Sequence, residues 1–297
     1  MIDLRTLETF YVVAQTGGFH RAAEKLNTTQ PAVSARIAQL EQELKVRLLE
    51  RDKRGSHLTA KGRELLGYVE RIMALRTEMV LAVAGRDGLG GMVQLGVSDT
   101  IVHTWLPDLL KRLNQEYPSI TLEISVDGSA NLATALAEGS INVALLIGPV
   151  NAGNATNLPL CDYPLSWIVP ANLPLKPGAV TLEDLTAFPI ITFARRTRPY
   201  LQLKELFEKA HLHKVRVFAN SSLSSIIRMT LDGIGVAAIP NEVVAEHMSA
   251  GQLRVVETGH EMPVLSFTAS FFKRADMPLN SIVAEIAQQV ARQYKGK

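Results

Sequence analysis

With 297 residues, 47% of them hydrophobic and 20% charged, the chain is long enough for about two folded domains and is too apolar to stay disordered. The net charge is only +2, but residues 1 to 63 carry eleven Lys and Arg against seven Asp and Glu. That is +4, which leaves −2 for the remainder, so attraction to nucleic acid belongs to the first segment. A single cysteine, Cys161, excludes an intrachain disulfide and fits a reducing, cytoplasmic setting; no charged-then-apolar leader opens the chain, and no apolar run approaches the ~18 residues of a membrane span.

In chain order, Leu4, Leu7, Phe10, Tyr11 and Ala14 make a first helical stripe. Ala22, Ala23 and Leu26 belong to a second helix, where small residues allow a close crossing. Asn27-Thr28-Thr29 interrupts it, and Thr29 is placed to cap a third helix whose first turn tolerates Pro31. Val33, Ile37, Leu40 and Leu44 then repeat at steps of four, three and four. Turning that stripe inward leaves Pro31, Ala35, Ala38 and Gln39 outside, with Gln30 and Ser34 on the flank. This face is small and uncharged, so it can meet base edges without desolvating a charge. Gln pairs with adenine in the major groove, Ser is permissive, and Ala or a Pro ring meets a thymine methyl.

Leu48 and Leu49 are expected to close the small core, and Lys53-Arg54-Gly55 forms the tip of a short hairpin returning through Leu58-Thr59. A basic hairpin beside a recognition helix is a wing that touches phosphates, although the same residues also suit a merely solvated turn. Thr59 can cap a long helix to about Ala84. Its apolar stripe is Leu65, Leu66, Val69, Ile72, Met73, Met79, Val80 and Val83; Leu66, Met73 and Val80 recur every seven, with Arg76 on the seam. The stripe suits a second copy of the helix, or packing on its own domain. Gly85-Arg86-Asp87-Gly88-Leu89-Gly90-Gly91 then reads as a hinge.

Beyond it strands and helices alternate. Strands are predicted at 92–97, 120–126, 143–147, 165–169, 190–193, 215–218, 236–239 and 264–272. Helices are predicted at 105–116, 132–138, 200–210, 223–231 and 282–294. The alternation predicts an α/β domain with a mainly parallel sheet covered on both faces. In such sheets ligands sit beyond the strands' carboxyl ends, where helix starts present free amides. Ser98-Asp99-Thr100, Gly128-Ser129 and Asn220-Ser221-Ser222 stand at such ends, and Arg195, Arg196 and Arg198 follow another strand. The hydroxyls serve equally as helix caps and the arginines as surface charge; an inward-pointing Asp99 argues against an anion at that spot.

Ala22-Ala23, Leu26, Gln30-Pro31-Ala32-Val33-Ser34, Ile37, Leu40-Glu41, Leu44, Val46, Leu48, Glu50-Arg51, Leu58-Thr59 and Gly62 together resemble the N-terminal signature of the LysR-type transcriptional regulators, over roughly the first 65 residues. Lys45 stands where that family usually ends the helix with Gly, Leu49 where Phe is common, and Ala35 where a longer side chain commonly reaches DNA. The resemblance implies a winged helix-turn-helix at 1–60, a linker helix and hinge at 61–91, and an effector-binding domain at 92–297. That domain would have two lobes (I, about 92–161 and 266–297; II, about 162–265) and be similar to periplasmic solute-binding proteins. DNA contacts are then expected from Thr29, Gln30, Pro31, Ser34, Ala35 and Arg36, and from Arg51, Lys53 and Arg54 of the wing. Effector contacts are expected from Ser98, Thr100, Ser129, Ile147, Phe193, Arg195, Asn220 and Ser221. The implied partners are double-stranded promoter DNA, a small effector of anionic, carboxylate type, and a second copy through the linker helix, with a tetramer as the full assembly.

An enzyme reading lacks its motifs. Gly96-Val97-Ser98-Asp99-Thr100 misses the second glycine of a hydrolase elbow, and no phosphate loop, dinucleotide fingerprint or zinc pair is present. His211 and His213 are badly spaced for a metal on a helix. No catalytic residue, metal site or cofactor is therefore assigned. The alternative is a solute-binding protein without a transcriptional role, which would have no use for the first 60 residues and would carry an export signal.

Overall fold

The computed structural model describes residues 2–52, 55–84, 88–175, 179–274 and 277–294. It divides into two compact units, Met1–Leu89 with Arg274–Pro278, and Gly90–Lys273 with Leu279–Lys297.

In the first unit, α1 (Leu4–Thr16) is capped by Asp3, whose Oδ1 accepts from the Thr6 amide at 2.6 Å, and it ends at left-handed Gly17. The short α2 (Phe19–Lys25) is followed by α3 (Gln30–Leu44), which begins as expected: the Thr29 hydroxyl accepts from the Ala32 amide at 3.4 Å, and Pro31 sits in the first turn. Ala22 and Ala23 are buried where the helices cross. Phe10, Val13, Val33, Ile37 and Leu40 fill the space between them, and Leu48 and Leu49 close it. The hairpin is β1 (Leu49–Asp52) antiparallel to β2 (Gly55–Leu58). Then α4 (Ala60–Ala84) starts under Thr59, whose Oγ1 accepts from the Gly62 amide at 2.9 Å. A methyl at Gly62 would run into the Leu48 carbonyl oxygen, so only glycine lets α4 leave the hairpin this closely.

The second unit runs β3 (Gly91–Val97), α5 (Asp99–Val102), α6 (Leu106–Glu116), β4 (Ile120–Val126), α7 (Ser129–Glu138), β5 (Val143–Ile147), β6 (Ala155–Pro170), α8 (Leu182–Thr186), β7 (Ile190–Phe193), α9 (Arg198–Lys209), β8 (Val217–Asn220), α10 (Leu223–Leu231), β9 (Val236–Pro240), a 3-10 turn (Asn241–Val244), α11 (Ala245–Ser249), β10 (Leu253–Val256), β11 (Val264–Phe272) and α12 (Pro278–Gln293). Nine strands among the described residues join in the order β4-β3-β5-β11-β6-β9-β7-β8, with β10 beside β6. The expectation of parallel pairing holds inside each lobe: β3 pairs in parallel with β4 and β5, and β7 with β8 and β9. It fails for β6, β10 and β11, which pair antiparallel. The long β6 and β11 pass from one lobe to the other, and a two-lobed domain closes its sheet by running them in opposite directions.

Sequence alternation explains the layers of lobe II. Ile190, Val236, Ala238, Trp167 and Val169 face one side with Leu182, Leu203 and Phe207; Ile191, Ala237, Ile239 and Ile168 face the other with Leu223, Ile226 and Val244. Both faces are covered, as parallel strands require.

Candidate functional site

The first surface is the start of α3. Val33, Ile37 and Leu40 are buried, so the helix cannot rotate without emptying the core, and Gln30, Pro31, Ala35, Ala38 and Gln39 are held in solvent with Thr29. Ser34 is half-buried on the flank. Arg36 is also half-buried, and its Nη1 donates to Thr9 Oγ1 of α1 at 3.4 Å, so its guanidinium is engaged inside the unit. Glu41 had no assigned role in the sequence. Its Oε1 accepts from the Leu48 amide at 2.7 Å and the Leu49 amide at 3.1 Å, which pins the hairpin to the back of α3. Its spacing to Leu48 and Leu49 gives no local pattern to read. Between helix and hairpin, Lys45 adopts φ +56°, the left-handed turn usually given to Gly. Arg51 lies in the backbone of β1, while Lys53 and Arg54 lie outside the described residues.

Along α4 two adjoining stripes separate that the sequence merges. Val69 and Met73 are buried in the core of the first unit, with Leu65 and Leu66 packed against them, so Met73 is not available as the heptad seam expected of it. Tyr68, Ile72, Leu75, Met79 and Val83, at steps of four, three, four and four, stay exposed.

The second surface is the set of strand carboxyl ends in the other unit. In lobe I, Ser98 N donates to the Leu145 carbonyl at 2.9 Å and Asp127 N to the Val97 carbonyl at 3.3 Å, which brings the ends of β3, β4 and β5 together. Ser129 and Ile147 meet there: the Ile147 amide donates to Ser129 Oγ at 3.0 Å. Ser98 and Thr100 are buried, and Ser98 Oγ has no hydrogen-bond partner among the described residues. A buried hydroxyl left unmet at a strand end is costly unless something fills the place. In lobe II, Phe193 stands opposite Asn220 in the β7–β8 register. Asn220 Oδ1 accepts from Ser222 N at 2.9 Å, Ser221 is exposed, and Ser222 caps α10. Arg195 and Arg196 are exposed.

Bonds across the lobes show that these ends face one another. Asp99 Oδ2 accepts from the Leu223 amide, the first of α10, at 2.8 Å. His103 Nε2 lies 3.1 Å from Ser224 Oγ, and Arg198 Nη1 donates to the Gly148 carbonyl at 3.3 Å. Asp99 therefore does point into the junction. Arg198 spans it, and Arg195 is exposed. Such long-range pairs leave no spacing signal in a sequence. A cavity of about 420 Å³ adjoins the His103–Ser224 pair, with Ile227, Val243, Glu242 and Glu246 also on its walls.

Cys161 is half-buried beside Trp105 and Tyr163, and burial pushes its thiol up to about 11. A shift in that direction disfavours the thiolate. Among the described residues, no group of three or more His, Cys, Asp and Glu is placed to hold a metal ion, and no helix is long and apolar enough to cross a membrane.

Residues 4–63 match the family model for the bacterial regulatory helix-turn-helix protein, lysR family, and residues 86–295 match the LysR substrate binding domain. The chain belongs to the LysR family of bacterial regulators. It is a LysR-type DNA-binding transcriptional regulator with an effector-binding domain, and the family is one of regulators rather than enzymes. Among its relatives is the HTH-type transcriptional regulator AlsR of Bacillus subtilis, 29% identical over 244 residues, covering 81% of each chain. Two solved structures share the fold of the regulator: full-length CbnR complexed with its target DNA (22% identity, TM-score 0.55, covering 98% of this chain and 100% of that one) and a full-length OxyR variant from Pseudomonas aeruginosa (23% identity, TM-score 0.61, covering 99% and 96%).

Proposed function

We propose that the regulator reads promoter DNA through the exposed start of α3 and takes a small effector between the two lobes. The observation that carries the first half is the combination of a locked helix and an uncharged outer face. Val33, Ile37 and Leu40 fix the rotation of α3, and Gln30, Pro31, Ser34 and Ala35 stand at its amino end, where recognition helices meet base edges. Thr29 and the wing residues Arg51, Lys53 and Arg54 serve the phosphates. Arg36, engaged with Thr9, contributes by holding α3 on α1 unless DNA draws it out.

The exposed stripe on α4 favours pairing with a second copy, which would present two recognition helices to successive major-groove half-sites; the tetramer is a pair of such dimers. The effector site lies at the strand carboxyl ends, lined by Ser98, Thr100, Ser129, Ile147, Phe193, Asn220 and Ser221, with Arg195 and Arg198 at its edge. The unmet Ser98 hydroxyl suits a polar group of an effector, while the start of α7 already has the Asp127 carboxylate bonded to the Gly128 amide at 2.6 Å. Binding there would alter the bonds that join the lobes and so the placement of the paired DNA grips. The regulator acts in the cytoplasm and catalyses no reaction.

Gln30→Ala is the test of the reading face. It should cost roughly 1–3 kcal/mol at one base pair of the operator and relax preference there, while binding to random duplex is unchanged. Titration of full-length protein on its promoter and on scrambled DNA measures both, and equal losses on the two would remove Gln30 from the base contacts.

A further inference from the structure

Three amides that follow α3 end on a single residue. The backbone carbonyl of Glu41 accepts from the Val46 amide at 3.2 Å, and its Oε1 accepts from the Leu48 amide at 2.7 Å and the Leu49 amide at 3.1 Å. The first bond closes the helix around left-handed Lys45. The other two leave the helix and reach the root of the hairpin, the first residue of β1 and the one before it. A carboxylate oxygen makes charge-assisted bonds, stronger than neutral ones, and Glu41 is half-buried, so water competes less for them.

The hairpin has little stiffness of its own. It is two strands of four residues in a sheet to themselves, and an isolated two-stranded hairpin is marginally stable at best. Its ladder fixes β1 against β2 but not the angle at which the pair leaves α3. That angle is set at the root. Leu48 and Leu49 bury their side chains there, Thr59 Oγ1 donates to the Arg47 carbonyl at 2.8 Å, and the Ser56 amide donates to the Gly17 carbonyl at 3.3 Å. Apolar burial resists withdrawal but is not directional. The paired bonds of Glu41 are directional, and they tie the root to the reading helix itself. Leu40, next to Glu41, is buried and keeps that part of α3 in place.

We propose that Glu41 is a positioning residue for DNA binding, one that sets the wing where it and the start of α3 reach the same duplex. The inference rests on the reading of the hairpin as a phosphate-contacting wing and deepens it by naming what carries the placement of the helix to the wing. Its loss should weaken the sequence-independent part of binding and leave base preference as it is.

The test uses full-length protein titrated on its promoter and on scrambled duplex across a salt series. Two comparisons separate geometry from charge. Glu41→Asp keeps the charge and withdraws the oxygen by one carbon, and is set against the unaltered protein. Glu41→Ala is set against Glu41→Gln: both lose the charge, and only the glutamine keeps an oxygen for the two amides. Loss of a negative charge alone would strengthen binding in both of these. In each comparison the first-named variant should bind both duplexes about three- to tenfold more weakly, with a slope of log affinity against log salt shallower by about 1–2. The ratio of promoter to scrambled binding should stay within about twofold. Thermal melting shows which variants are folded, and the aspartate comparison carries the test if the alanine variant is not. An unchanged slope overturns the proposal, and so does a fall in promoter preference, which would place the action of Glu41 in α3. The double variant Arg51→Ala, Arg54→Ala separates the two readings. If it flattens the slope and the changes at Glu41 do not, the wing stands and the present inference falls. If neither moves the slope, the wing reading falls as well.

Discussion

Lys45 shows how one backbone angle joins the reading helix to its wing. The chain must reverse after α3 so that the Leu48 and Leu49 amides can reach Glu41, and the left-handed residue that turns it here carries a side chain. The left-handed conformation costs a side-chain-bearing residue about 1–2 kcal/mol, part of which glycine gives back through its freer unfolded chain. Lys45→Gly should therefore stabilise the first unit by about 1 kcal/mol, moving its denaturant midpoint upward with no change in the slope of the transition. A lower midpoint would mean that the lysine side chain contributes more than the strained angle costs. Other single positions were readable in advance for the same kind of local reason. Thr29 and Thr59 precede stripes they can cap, and each does. Arg36 was not readable: the sequence shows a cation on a recognition helix, and only the crossing of α1 over α3 reveals that Thr9 receives it.

At the scale of elements, α4 carries a wide apolar arc rather than one seam. Periodicity cannot divide it, because both flanks repeat at three and four. The division follows from packing: the core of the first unit takes the flank of Val69 and Met73, and the flank of Tyr68, Ile72, Leu75, Met79 and Val83 is left. Leu75→Glu, in the middle of the exposed flank, should shift full-length protein from dimer toward monomer in sedimentation. A leucine buried on each side contributes roughly 3–6 kcal/mol to a dimer. An unchanged mass would place the self-association elsewhere. Sequence patterning marks only the last third of β6, at 165–169. Pro159 and Pro164 break the alternation before it, and they are tolerated because β6 changes partners along its length, pairing with β11 up to Pro164 and with β9 and β10 after it.

For the molecule as a whole, charge is divided as the two tasks are. The first 63 residues hold +4 and the remainder −2. The affinity for DNA and its salt dependence should then reside in residues 1–89, and residues 90–297 alone should retain no DNA even at low ionic strength. Filter binding of the two fragments and the full chain across a salt series checks this; a salt slope that requires the second fragment would contradict it.

Local repetition carries what is chemically local. The helix stripes, caps, hairpin and alternation of strands and helices each lie within a few residues of sequence, and from them two helices with a basic hairpin and an α/β domain can be laid out in order, while the winged helix-turn-helix and the effector-binding role come with the resemblance to the LysR-type regulators. Pairings between distant residues carry no such repeat. That Asp99 sits on α10, that Arg198 crosses the lobes, that Met73 belongs to the core, and that β6 and β11 bind the lobes by running antiparallel were decided only when the chain closed on itself, because each depends on which surfaces remain after the others have packed.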